Sequence, residues 1–95
     1  MRVLSLWKGE VTVRHTRFMR DIIADVVERN EVTEADLKGP SRRPHVTWPR
    51  FEAMYLMHEA GHSLPEIGRF LGGRDHTTIL NGCRRYAAWL TEGVA

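Results

Sequence analysis

Two stretches of this 95-residue chain combine residue types and spacings that could do chemistry. The first is His58-Glu59-Ala60-Gly61-His62, two imidazoles four residues apart with a carboxylate beside the first. On one unbroken helix, with a third ligand, that pattern would hold zinc and let the glutamate activate a bound water. Gly61 and Ser63 instead point to a helix ending between or at the two histidines, and no residue downstream stands at an obvious third-ligand spacing. The expectation is therefore a helix end and no metal. The second stretch is Arg74-Asp75-His76-Thr77-Thr78, directly after Gly72-Gly73. These five polar residues are not needed by a core. At the start of a helix they would offer donors, acceptors and a methyl group to base edges and phosphates.

The surrounding elements must position that second stretch. Ser63-Leu64-Pro65-Glu66 has capping-box spacing with proline in the first turn, so a short helix over Leu64–Leu71 is predicted, ended by Gly72-Gly73. Asp75 then caps a last helix whose apolar positions are Ile79, Cys83, Tyr86, Ala87 and Leu90, with Thr77, Asn81 and Arg84 opposite. A short helix, a glycine turn and a longer amphipathic helix make a helix-turn-helix. Gly82 inside the last helix costs about 1 kcal/mol against alanine, which packing must offset.

Upstream, the helical period begins near Thr16, with Phe18, Met19, Ile22, Ile23, Val26 and Val27 on one stripe and Asn30 as the stop. Thr33–Leu37 reads as one capped turn closed by Gly39-Pro40. Residues 38–47 form a basic loop, and a third helix is expected from Thr47 to Pro49 onward, through Ala53, Met54, Leu56, Met57 and Ala60. Residues 1–14 fit either a short hairpin around Lys8-Gly9 or an N-terminal arm. The predicted fold class is all-α, one compact helical domain over 16–95 preceded by an arm or hairpin over 1–15.

Charge is unevenly spread around a net +2 and a pI near 9.1. Residues 1–20 carry five Lys/Arg against Glu10, residues 21–37 carry six acids against Arg29, and residues 38–85 carry eight Lys/Arg against four acids. A basic block of that size suits a polyanion, or simply a solvated face. No apolar run approaches the ~18 residues of a membrane span, and no signal-peptide pattern is present. The single cysteine makes a reducing cytoplasm the expected compartment. Without a Gly-Lys dipeptide there is no phosphate loop, so neither ATP binding nor enzymatic activity is expected, and no cofactor. Cys83 reads as a core residue, and Trp7, Trp48 and Trp89 as packing residues rather than base-stacking ones.

Ser63-Leu64-Pro65-Glu66-Ile67-Gly68-Arg69 followed by Gly72-Gly73-Arg74-Asp75-His76-Thr77-Thr78-Ile79-Leu80 closely resembles the C-terminal DNA-binding domain of DnaA, the bacterial chromosomal replication initiator. The resemblance runs from about Thr16 to Leu90 and leaves residues 1–14 unmatched. It implies an all-helical domain that reads an A·T-rich nonamer in double-stranded DNA. Carried over residue by residue, it places Arg42 in the minor groove, with Arg43 as the alternative, and gives major-groove base contacts to Asp75, His76 and Thr77. It sets Arg50, Leu64, Pro65 and Thr78 along phosphates, with Arg43 and Arg74 beside them. The chain departs from the family pattern at Pro44, His45 and Trp48 in or near the loop, at Phe51 after Pro49-Arg50, and at His58.

The expected function is sequence-specific DNA binding by a stand-alone domain that modulates replication or transcription without an ATPase, as a monomer or weak homodimer. The alternative is a protein-interaction module acting on the full-length initiator or its regulators through Phe18–Val27 or the arm, with a vestigial DNA face. No membrane partner is expected.

Overall fold

In the computed structural model, which describes residues 17–93, the capped and periodic segments become five helices. These are α1 (Met19–Asn30), α2 (Glu34–Lys38), α3 (Pro44–Glu59), α4 (Leu64–Phe70) and α5 (His76–Glu92). The arm or hairpin expected over 1–14, and the domain boundary near residue 15, lie outside the described residues. No helix among the described residues is long and apolar enough to cross a membrane.

Local signals set most of the boundaries. Thr33 and Asp36 form a reciprocal capping box at α2, and Ser63 and Glu66 form another at α4. α1 stops where Glu31 enters the left-handed region at φ 56°, and the Asn30 amide donates back to the Val26 carbonyl at 2.9 Å. α3 begins earlier than its sequence suggests, at Pro44 instead of Thr47–Pro49. Pro44 occupies the first helical position, where no N–H is needed, and Arg43 before it is extended, as a residue preceding proline prefers. Pro49 consequently lies inside the helix. The carbonyl that loses its partner belongs to His45, which is exposed to water.

α3 is the central element, with α1, α2, α4 and α5 packed around it. The core joins Ile22, Ile23 and Val26 of α1 to Leu37 of α2, Met54 and Met57 of α3, Ile67 of α4, Leu71 and Ile79, all at most 1% exposed. Across α1 and α3 the Glu52 carboxylate accepts from Arg29 and, at 3.0 Å, from the Asn30 amide. Two residues leave their predicted stripes. Phe18 precedes the first turn of α1 and is 57% exposed, with the Arg20 guanidinium over its ring; Leu90, near the end of α5, is 49% exposed. The remaining aromatic residues of α3 and α5 gather into one cluster. Trp48 meets Phe51, Tyr86 and Trp89 at centroid distances of 5.7–6.0 Å, and Tyr55 meets Tyr86 at 5.3 Å. Trp48 and Trp89 are thus packing residues, as expected, edge-on to one another.

Gly82 is explained by this packing. A Cβ there would lie 2.3 Å from the Met54 sulfur and 3.0 Å from the Phe51 ring. Its absence lets α5 approach α3 closely enough to bury Cys83, whose thiol burial pushes up to about 11. Gly82→Val should therefore lower the unfolding free energy by about 1–3 kcal/mol despite valine's higher helix propensity. Urea unfolding measures this, and an unchanged midpoint would contradict the close approach.

Candidate nucleic-acid interface

α4 and α5 are the two helices of the helix-turn-helix, joined by Leu71–Asp75. The turn folds tightly because Gly72 and Gly73 adopt φ of 84° and 81°, and the Gly73 and Arg74 amides both donate to the Gly68 carbonyl. Gly72 is required twice over: besides its φ, a Cβ would lie 2.2 Å from the Lys38 carbonyl oxygen. The turn thus presses against the end of α2.

Asp75 caps α5, its Oδ2 accepting from the Thr77 amide at 3.0 Å. His76, Thr77 and Thr78 follow on the first turn, all exposed. With the Thr77 amide engaged and the His76 amide also facing the Asp75 carboxylate, the Thr78 amide remains in that turn, at the positive end of a 17-residue helix. The exposed face continues through Asn81, Arg84 and Arg85, with the Arg85 guanidinium over the Phe51 ring. These three were not among the sequence-predicted contacts. Asn81 and Arg84 follow Thr77 at helical spacing, and that spacing was the available signal.

Arg42 and Arg43 stand exposed on the loop between α2 and α3, where the sequence reading put them. The loop itself is short, Gly39–Arg43, because α3 starts early. Pro65 is exposed and Leu64 half-buried at the start of α4. There the Ser63 and Glu66 amides are already engaged in the capping box and Pro65 has none, so Leu64 carries the remaining amide of that first turn.

Arg50 and Arg74, both expected at phosphates, are instead turned inward. Arg50 is 5% exposed, and its guanidinium donates to the carbonyls of Leu37 and Ser41 at 2.8 Å, Asp36 at 2.9 Å and Gly39 at 3.0 Å. Arg74, half-buried, donates to Lys38 at 3.2 Å and to Leu71 and Gly39. Each N–H given to a carbonyl is withdrawn from a phosphate unless that bond breaks, which leaves Arg74 only its Nε–H and one Nη2–H. Burial, and then repulsion from Arg74, lower the proton affinity of Arg50; burial lowers that of Arg74. A guanidinium is not deprotonated in proteins, so both add positive potential beneath the loop.

The zinc-like pattern is split by the fold. α3 ends at Glu59, Gly61 turns the chain at φ 102°, and His62 lies beyond the helix with Nε2 2.8 Å from the Arg17 carbonyl oxygen.

A family model described as the bacterial dnaA protein helix-turn-helix matches residues 19–85. The chain belongs to the bacterial DnaA helix-turn-helix family. Within that DnaA family, the chromosomal replication initiator protein DnaA of Thermomicrobium roseum is 50% identical over 84 residues, covering 86% of this chain and 18% of that protein. The corresponding protein of Picosynechococcus sp. is 40% identical over 83 residues, 85% of this chain and 18% of that one. That of Cereibacter sphaeroides is 44% identical over 68 residues, 70% and 15% respectively. The chain therefore spans less than a fifth of the length of these DnaA relatives. Among the described residues, the all-helical, helix-turn-helix architecture expected from the DnaA resemblance is the one found.

The capping carboxylates give this DnaA-type unit a pH dependence. The Thr77 amide holds the Asp75 carboxyl below its ordinary value, and the Ser63 amide does the same for Glu66. A depressed carboxyl contributes stability above its unfolded value and loses it as pH falls through the folded one. Stability should thus decline on acidification below about pH 4. The double variant Asp75→Asn, Glu66→Gln, which keeps the acceptor oxygens, should flatten that decline in urea titrations; an equally steep decline would contradict the assignment.

Proposed function

We propose that this chain binds double-stranded DNA sequence-specifically, reading short A·T-rich sites of the kind bound by the replication initiator. The observation that carries the reading is the exposed run Asp75-His76-Thr77-Thr78 at the first turn of α5, the second helix of a helix-turn-helix. In such units that turn meets base edges in the major groove. A threonine methyl can pack on a thymine methyl, an imidazole or hydroxyl can reach base acceptors, and the Asp75 oxygen that does not cap can accept from a cytosine amino group.

Arg42, or Arg43 beside it, supplies the minor-groove contact, where narrow A·T tracts concentrate negative potential. The Thr78 hydroxyl, Arg43 and the Leu64-Pro65 helix start lie along phosphates; Arg50, with four N–H groups given to carbonyls, has little left for one, and Arg74 could offer only its Nε–H and one Nη2–H. With so few phosphate contacts, affinity should be modest and fall with salt. These residues carry no phosphate loop, so this domain's own contact with DNA needs no nucleotide. The role is modulation of replication or transcription on nucleoid DNA. Because two proteins cannot occupy one groove face together, it acts by competing with the full-length initiator for single sites.

Selection from random duplexes should enrich an A·T-rich nonamer. On that site His76→Ala or Thr77→Ala should each cost about 1–3 kcal/mol, with little change on random duplex. No enrichment, or equal losses on both kinds of DNA, would overturn the reading.

A further inference from the structure

The inward-facing arginines do more than complete a core. The Gly39 carbonyl, where the Arg42-bearing loop begins, accepts from Arg50 of α3 and from Arg74 of the helix-turn-helix turn. The Lys38 carbonyl accepts from Arg74 at 3.2 Å, and its own residue lays Nζ 4.3 Å over the ring of Phe70, at the end of α4. The Ser41 carbonyl, one residue before Arg42, accepts from Arg50 at 2.8 Å. The loop therefore hangs from the same guanidinium that immediately precedes the cap of α5. Arg74 is one residue before Asp75 and two before His76. Its three acceptors come from two separate segments, Leu71 in the turn and Lys38 and Gly39 at the end of α2. A planar fork with five N–H groups can meet all of them at once. A lysine ammonium, a single point with three donors, is poorly suited to that spread.

We infer that Arg74 is a positioning residue that couples the two DNA-reading elements: it fixes the offset between Arg42 on the loop and the first turn of α5. The inference rests on the reading under Proposed function. A loop held at its working offset before binding does not have to be ordered on binding, so its contact adds fully to affinity. Cut from the turn, the same loop keeps its anchor to α3 but loses its register with α5, and the Arg42 contact is no longer gained when α5 is seated.

The test is a pair of double-mutant cycles on a duplex carrying the nonamer recovered by selection, read by fluorescence anisotropy at fixed salt. Arg74→Lys is the working background because it keeps the charge. Thermal unfolding defines a temperature at which every variant is folded. Arg42→Ala is expected to weaken binding about tenfold in the unsubstituted protein and less than about twofold beside Arg74→Lys. Thr77→Ala should cost the same factor in both backgrounds, which general destabilisation would not produce.

Equal Arg42→Ala factors in the two backgrounds, or coupling of Thr77→Ala as strong as that of Arg42→Ala, would overturn the inference alone. Arg42→Ala without effect in the unsubstituted protein would overturn it together with the loop's part in the reading. A measurement on the unsubstituted chain stands even if Arg74→Lys does not fold. Amide order parameters at Ser41, Arg42 and Arg43 should match the ~0.85 of rigid backbone, whereas values below about 0.6 would overturn a pre-set loop.

Discussion

At and just after the C-terminal end of α2 only the Asp36 carbonyl accepts from a backbone amide, that of Gly39, and two guanidinium groups satisfy the carbonyls there. That exchange sets the geometry of the whole binding face. Arg50 reaches the carbonyls of Asp36, Leu37, Gly39 and Ser41 from α3, and Arg74 reaches those of Lys38 and Gly39 from the turn before α5. Two like charges brought close together would be costly without carboxylate partners. Here the aligned carbonyl dipoles of a helix end take that part. The same Lys38 carbonyl leaves no room for a side chain at Gly72. The signature Gly-Gly-Arg-Asp-His-Thr-Thr therefore divides by direction: Gly72 and Arg74 serve the seam with α2, while Asp75 to Thr78 face outward.

The scaffold behind that face is built by a second close approach, between α3 and α5. Gly82 brings the helices together over Met54 and Phe51, and the rings of Trp48, Phe51, Tyr86 and Trp89 extend the contact along them. Packing on one side of α5 leaves the other side, from His76 through Arg85, polar and exposed. A rigid helix with an uncommitted polar face is what groove reading requires. The position of Phe51 under Arg85 also gives a physical use to a residue at which this chain departs from the family pattern.

Much of this was legible in the sequence because it is local. Thr33 with Asp36, Ser63 with Glu66, and Asp75 before its helix are capping arrangements within three residues, and each formed as read. The Gly72-Gly73 turn and the exposed Asp75–Thr78 run followed from the same short-range logic. What was not legible depended on direction and distance. An arginine's type suggests phosphate, and nothing in the neighbouring residues says that Arg50 and Arg74 turn inward to carbonyls that, apart from that of Leu71, are 9 to 36 positions away. The start of α3 was misplaced because Pro44 and Pro49 each suit a first turn, and only the extended backbone of Arg43 decides between them. Phe18 fitted the α1 stripe by periodicity, yet it precedes the first turn of that helix and stays exposed.

One face of this chain, formed by the loop after α2 and the N-terminal turns of α4 and α5, is the one we propose meets DNA. Titrating the isotopically labelled protein with a duplex carrying the selected nonamer, and following every amide and indole N–H by NMR, tests it most directly. The largest shifts should fall at Arg42, Arg43, Leu64, His76, Thr77 and Thr78, with the indole signals of Trp48 and Trp89 unmoved. Shifts centred on the Trp48–Tyr86–Trp89 cluster or along α1, with the α5 first turn silent, would contradict it.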